Sequence, residues 1–177
     1  SGFFLRASIP GTTPFGGPVP VPGFGLQIQN QAVFGVKPEA KYQVTYTPIV
    51  ETLADGTQVT LRKPHYSLVD SYIEVPASIL LSPRIGMPVF GLGLLEAIPE
   101  MDILKNEDVL DLNQDGISGK ANYVYDITTG QKKLGRFGWK ANTATLFEQC
   151  AAAFVNDMGI TNPLFPDKPG KGQSNGN

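Results

Sequence analysis

Cysteine and histidine are nearly absent: Cys150 and His65 are the only ones in 177 residues. One cysteine excludes an internal disulfide and any Cys-x-x-Cys pair within these residues. With one histidine beside it, a zinc site of the usual Cys/His composition is excluded as well. Charge is also sparse. Charged residues make up 17% of the chain and the formal net charge is −2, a field too weak to gather nucleic acid or an anionic membrane surface. No apolar run approaches the roughly 18 residues of a bilayer span, and no charged start followed by an apolar run reads as a signal peptide. Ser1-Gly2 reads as the remnant of a cleaved tag, so a natural leader could have been removed.

What is present supports one core. With 41% apolar and 10% aromatic residues, a chain of this length is expected to fold as one domain. Residues 8–25, "SIPGTTPFGGPVPVPGFG", are too rich in Pro and Gly for a helix and read as a packed extended coil wrapping the surface. "YQVTYTPIVETL" and "TQVTLRKP" are rich in β-branched residues and flank Asp55-Gly56, which predicts a β-hairpin over 42–63. "SYIEVPASILLSPRI" gives short extended pieces interrupted by Pro76 and Pro83. "GLGLLEAI" then reads as a short helix ended by Pro99. "NYVYDI" and "KKLGRFGW" around "TTGQ" predict a second hairpin.

The clearest helix is "TLFEQCAAAFVNDMG", with Thr145 and Glu148 as a capping box and Gly159 suited to the left-handed position past the last turn. Leu146, Phe147, Cys150, Ala151, Phe154, Val155 and Met158 recur at helical spacing and predict one buried face, with Cys150 as a small core residue. The fold class expected is α+β: two β-hairpins, short helices, one long amphipathic C-terminal helix and a Pro/Gly-rich N-terminal coil. The boundaries are a lead over 1–7, a single domain over 8–165 and a flexible tail over 166–177. Within the domain, 91–122 carry a helix and a calcium-like loop, and 123–160 a hairpin and the last helix.

That loop, "DLNQDGISGKAN", places oxygen-bearing side chains at alternate positions. Asp111, Asn113 and Asp115 fill positions one, three and five of a calcium-binding loop, Gly116 permits the sharp turn, Ile117 offers a carbonyl at seven and Asn122 falls at twelve. The bidentate Glu normal at position twelve is missing, which predicts weak, structural calcium binding. The competing reading is a set of Asx-turns with no ion.

"SPRIGMPVFGLGLLEAIPE", "DLNQDGISGKANYV", "LGRFGWKAN" and "QCAAAFVNDMGITNPLFP" together closely resemble the bacterial di-haem oxidoreductase family, whose members are described as peroxidases or thiol oxidoreductases. The resemblance runs from about "GGPVPVPGFG" to "NPLFP". It implies a periplasmic or secreted c-type cytochrome with a Cys-x-x-Cys-His haem-attachment motif near each end, of which this chain is the middle segment and carries neither. Haem c would then belong to the parent protein. The partners implied are the haem-bearing segments of that parent and a small electron-donor protein.

A more distant likeness to di-haem cytochrome c peroxidases and MauG-like enzymes implies roles for three residues. Trp139 would relay electrons between haems, while Gln149, ten residues on, and Asp157, standing where that group has Glu, would face the peroxide side. Asp157 would be the general acid/base, with a shorter reach than Glu. Each has a structural alternative: Trp139 as a core anchor, Asp157 as an ordinary carboxylate at an electrostatically unfavourable helix end. Glu96 reads as a buried carboxylate paired with Arg84 or Arg136, and His65 as a surface residue. The alternative for the whole chain is a calcium-stabilised, non-enzymatic binding module of a secreted protein.

Overall fold

The structure, a computed structural model, describes residues 3–167. Residues 1–2 and residues 168–177 of the expected tail lie outside the described residues. The elements in chain order are β1 (Phe3–Thr12), β2 (Pro18–Val19), β3 (Gln27–Ile28), β4 (Lys41–Thr52), β5 (Gln58–Val69), β6 (Leu80–Ile85), α1 (Leu92–Ala97), α2 (Glu100–Leu104), β7 (Tyr123–Asp126), β8 (Gln131–Leu134) and α3 (Leu146–Met158). The class is α+β. The described residues fall into two compact units: one of residues 3, 11–19 and 84–167, the other of 4–10 and 20–83.

In the second unit, β1 pairs antiparallel with β3 through Leu5–Ile28 and Arg6–Gln27, and β6 also pairs with β1. The core is Ala7, Val21, Phe24, Ile28 and Ala40, backed by Leu68, Tyr72, Ile79 and Leu81. The surface coil expected over 8–25 is therefore not what forms. Leu5, Ala7 and Ile9 alternate along β1, so a strand extends to Thr12 before the turns begin, and Val21 and Phe24 sink into the core. Pro and Gly excluded a helix there, but they did not keep the segment on the surface. The Phe24 ring meets Tyr72 edge-on, 5.4 Å between centroids, and the Tyr72 hydroxyl donates to the Gly23 carbonyl.

β4 and β5 form a hairpin of two twelve-residue strands, from Lys41–Val69 at the base to Thr52–Gln58 at the tip. It is longer than the 42–63 expected, because Pro64 does not end it. Counting from the Leu53 N–H to Thr57 carbonyl bond that closes the turn, hydrogen-bonded and non-hydrogen-bonded pairs alternate. Pro48, opposite Arg62, and Pro64, opposite Tyr46, both fall on pairs where the ladder needs no N–H. His65 is exposed, as expected, and its Nε2 lies 3.0 Å from Thr47 Oγ1.

Glu39 sits near the base of this hairpin with 2% of its surface exposed. Its Oε2 accepts the Gln29 N–H at 2.8 Å. Its own N–H donates to the Gln29 carbonyl and its carbonyl accepts from the Tyr72 N–H. Burial pushes the Glu39 carboxyl up to about 7, against the opposing pull of the Gln29 N–H.

In the first unit, α3 has the ends its sequence specifies. Thr145 accepts the Glu148 N–H, and Gly159 takes the left-handed conformation at φ 69°. The helix forms over the residues expected, but its apolar stripe is only partly buried. α3 has 13 residues and buries Glu148, Ala151 and Val155, while Phe147, Cys150, Phe154 and Met158 are exposed. Cys150 is thus a surface thiol, not a core residue. Helical spacing identifies a face but not whether this chain covers it.

Candidate functional site around Trp139

Trp139 stands on a tight turn built by "GRFGWKAN". The Arg136 and Phe137 N–H groups both bond the Thr143 carbonyl, and the Asn142 N–H returns to the Phe137 carbonyl at 3.0 Å. Gly138 at φ 80° and Ala141 at φ 45° let the chain reverse within this space. The turn folds onto Gly135 so closely that a Cβ there would lie 1.8 Å from the Ala141 carbonyl oxygen. Trp139 is 61% exposed. Its Nε1–H donates to the Ile85 carbonyl at 2.7 Å, which fixes the ring while leaving its surface open. The core-anchor reading of Trp139 does not hold.

Neighbouring elements are tied to this turn by polar contacts. Arg136 donates to the carbonyls of Leu95 at 3.3 Å, Glu96 at 3.0 Å and Ile98 at 2.5 Å, satisfying the open C-terminal end of α1. The Glu96 carboxylate accepts the Leu146 N–H at 2.8 Å, at the start of α3. Glu96 was expected to be a buried partner of Arg84 or Arg136. It is exposed, and Arg136 binds its backbone carbonyl while its carboxylate serves a helix N-terminus. Gln149 lies one turn into α3 and half-buried; Asp157 lies in the last turn and is exposed. Eight residues apart, they differ by about 80° in direction and about 12 Å along the axis, so they line one flank and cannot meet at one atom.

This unit presents much apolar surface to solvent. Ile85, Leu94, Met101, Phe147, Phe154 and Met158 are all exposed, Phe147 to 66%. Scattered apolar residues are normal on a surface. Here Ile85, α1 and the start of α3 are joined to one another or to the Trp139 turn by the hydrogen bonds above.

The acidic loop precedes this turn. Asp111 accepts the N–H groups of Asp115 at 3.0 Å and Gly116 at 3.1 Å; Asp115 accepts that of Ile117 at 2.8 Å and the Asn113 amide at 3.1 Å. Asp108 adds a bond from Leu112 at 2.9 Å. Asn113 and Asp115 close Asx-turns on the N–H two residues on, while Asp108 and Asp111 reach N–H groups four and five residues on, so the loop is closed on its own backbone. Asn122, expected at the last calcium position, directs its amide to the carbonyls of Lys140 at 3.1 Å and Ala141 at 2.9 Å, so it fastens the loop to the Trp139 turn. No group of three or more His, Cys, Asp or Glu among the described residues could hold a metal ion. Together these observations give the calcium assignment of Asp111, Asn113, Asp115, Ile117 and Asn122 no support from the donor set.

Two carboxyls of this unit, Asp126 and Glu148, are buried, which the reading of the sequence did not foresee. Asp126 is fully buried at the end of β7 and bonds Lys133 Nζ at 2.6 Å, the Thr128 hydroxyl at 2.6 Å and the Thr129 hydroxyl at 2.8 Å. These partners overcome the burial that would raise it and hold it well below the usual carboxylate range. "DITTG" was legible as turn chemistry, since Asp followed by Thr two and three residues on is a side-chain-closed turn. Glu148 faces inward on α3, and its Oε2 has no hydrogen-bond partner among the described residues. Burial, then the charge of Asp126, pushes it up.

The model of the family described as "Di-haem oxidoreductase, putative peroxidase" matches residues 6–175. This chain belongs to the di-haem oxidoreductase family. Comparison with curated proteins and with solved structures gave no match. Within this di-haem oxidoreductase chain, the single cysteine and single histidine mean that no Cys-x-x-Cys-His site occurs in these residues. No helix among them is long and apolar enough to cross a membrane.

Proposed function

We propose that this chain is the haem-free central portion of a periplasmic c-type di-haem oxidoreductase with peroxidase-like activity. In that reading, its apolar face around Trp139 packs against the haem-bearing segments of the parent. The observation that carries it is the exposed Trp139 ring, fixed through Nε1 to the Ile85 carbonyl, in a unit that leaves many apolar side chains uncovered. Bound haem would supply the redox chemistry, and the protein's part is to position and tune. Trp139 would offer its open face as an electron relay. Gln149 and Asp157 would line the α3 flank beside it, Asp157 holding or moving a proton near the outer peroxide oxygen. The fragment by itself would be inactive, and a small electron-donor protein would complete the system. The family match favours this reading over a calcium-stabilised binding module.

The test is expression of the full parent with cytochrome maturation. Two c-type haems and peroxide turnover are expected. Trp139→Phe and Asp157→Asn should each lower turnover about tenfold or more, with haem content unchanged, which corresponds to about 1.4 kcal/mol or more of barrier. Full turnover in both variants would refute the site assignment, and a parent lacking Cys-x-x-Cys-His on both sides of this segment would refute the function.

The acidic loop enters this reading as a brace made by its own hydrogen bonds. An ion bound with a millimolar Kd would, at ten times that concentration, stabilise by about 1.4 kcal/mol and raise Tm by several degrees. We expect less than about 1 °C when calcium is added to chelator-stripped protein. A rise of several degrees, lost in Asp111→Ala, would restore the ion.

A further inference from the structure

A half-open cavity of about 290 Å³ lies in the first unit between the turn at residues 13–17 and the β7–β8 hairpin. It is lined by Thr13, Phe15, Gly16, Tyr123, Tyr125 and Lys132. Its walls are preorganised on both sides. The Thr13 N–H bonds the Gly17 carbonyl at 2.8 Å, the Gly16 N–H bonds the Thr13 carbonyl at 2.9 Å, and the Gly17 N–H bonds Thr13 Oγ1 at 3.0 Å. Pro14 limits the backbone further. This holds the Phe15 ring against Tyr125, centroids 4.3 Å apart and planes 25° from parallel.

On the hairpin, Tyr123 pairs with Leu134 and Tyr125 with Lys132, so Tyr123, Tyr125 and Lys132 share one face. Asp126 and Lys133 share the other, where Lys133 is neutralised at 2.6 Å. Lys132 has no ion-pair partner among the described residues. Of two consecutive lysines, one is committed to the fold and the other stands with its charge uncompensated beside three aromatic rings.

We propose that this cavity binds a small planar anion, an aromatic carboxylate in class, whose ring lies against Phe15 and Tyr123 and whose carboxylate meets Lys132 Nζ. About 150 Å³ suffices for a benzene ring, so 290 Å³ leaves room for the ring and one anionic substituent. The aromatic walls supply stacking. The ammonium supplies a charge-assisted hydrogen bond that selects the anion over a neutral ligand of the same shape. Nothing in this proposal depends on the di-haem reading.

The probes are benzoate and its neutral isostere benzamide, titrated into this chain with NMR shifts as the readout. Benzoate, with nine non-hydrogen atoms, is expected to bind in the low millimolar range. Shifts should be confined to residues 13–16 and 123–132, and benzamide should bind about tenfold more weakly. Raising salt should weaken benzoate alone. Lys132→Gln should bring benzoate down to the benzamide level. Phe15→Ala should weaken both about tenfold, and Lys120→Gln should change neither. All three side chains are exposed, so the variants retain the fold, which unchanged circular dichroism would verify. Equal affinity for the two probes, benzoate binding that survives Lys132→Gln, or no shifts at about 10 mM of either probe would each overturn the proposal.

Discussion

Gly135→Ala is expected to destabilise the unit that carries Trp139 by about 3–5 kcal/mol, at the upper end of single-substitution effects. The added methyl carbon would lie 1.8 Å from the Ala141 carbonyl oxygen and 3.2 Å from that of Asn122. Both obstacles are backbone, so neither can turn aside as a flexible side chain would. Three hydrogen bonds would have to yield together: Gly135 N–H to the Asn122 carbonyl at 2.8 Å, and the Asn122 amide to the Lys140 and Ala141 carbonyls at 3.1 and 2.9 Å. The Trp139 turn would be lifted from its seat. Trp139, the only tryptophan, therefore reports the change directly by fluorescence, and chemical unfolding followed at the same wavelength gives the stability. Gly86→Ala is the control, since a Cβ there meets nothing within 4 Å; it should cost less than about 1 kcal/mol. Similar stabilities for the two variants would show that the turn is not seated on Gly135 as described.

The second large effect is a pH dependence centred on Glu39. Its carboxyl titrates at about 7 in the fold, above its ordinary 4.5, because burial disfavours the charge. Between those two values the folded state holds a proton that the unfolded chain releases, so stability is full below about pH 4.5 and falls as pH rises towards 7. The loss should be on the order of 2–3 kcal/mol. Glu39→Gln keeps a carbonyl able to accept the Gln29 N–H and has nothing to ionise. The variant should match the wild type near pH 5 and exceed it at pH 8 by most of that loss. Hydrogen exchange of core amides in the unit holding Phe24 and Tyr72, measured at both pH values, separates this from Glu148, which is pushed in the same direction but belongs to the other unit. Tyr72 is pushed up from 10 by burial and by the charge of Glu39, and so titrates outside this window. A wild type whose protection is flat from pH 5 to 8 would remove Glu39 as a titrating group.

Local chemistry was legible wherever a residue acts on its own neighbours. The ends of α3 at Thr145 and Gly159, the hairpin turn at Asp55-Gly56, the break at Pro99 and the Asx-turns at Asn113 and Asp115 all follow from short-range geometry. The α+β class follows as well. Pro64 misled because a proline ends a strand only when the ladder needs its N–H, and that parity is set at the turn eight residues away. The α3 stripe misled for a different reason. Spacing showed that Phe147, Cys150, Phe154 and Met158 share a face, but whether that face is covered depends on what packs there.

The sequence by itself determined the family, the class of elements and most of their ends, because each rests on motif identity or on contacts within a few residues. Only the tertiary structure decided that Trp139 is held at the surface, that Asn122 serves the Trp139 turn, and that Glu39, Asp126 and Glu148 are buried. It also decided that Lys132, not Lys133, keeps its charge free. Those outcomes join residues up to 54 apart in the chain, and burial and charge pairing between such distant groups are properties of the packed fold that no local pattern encodes.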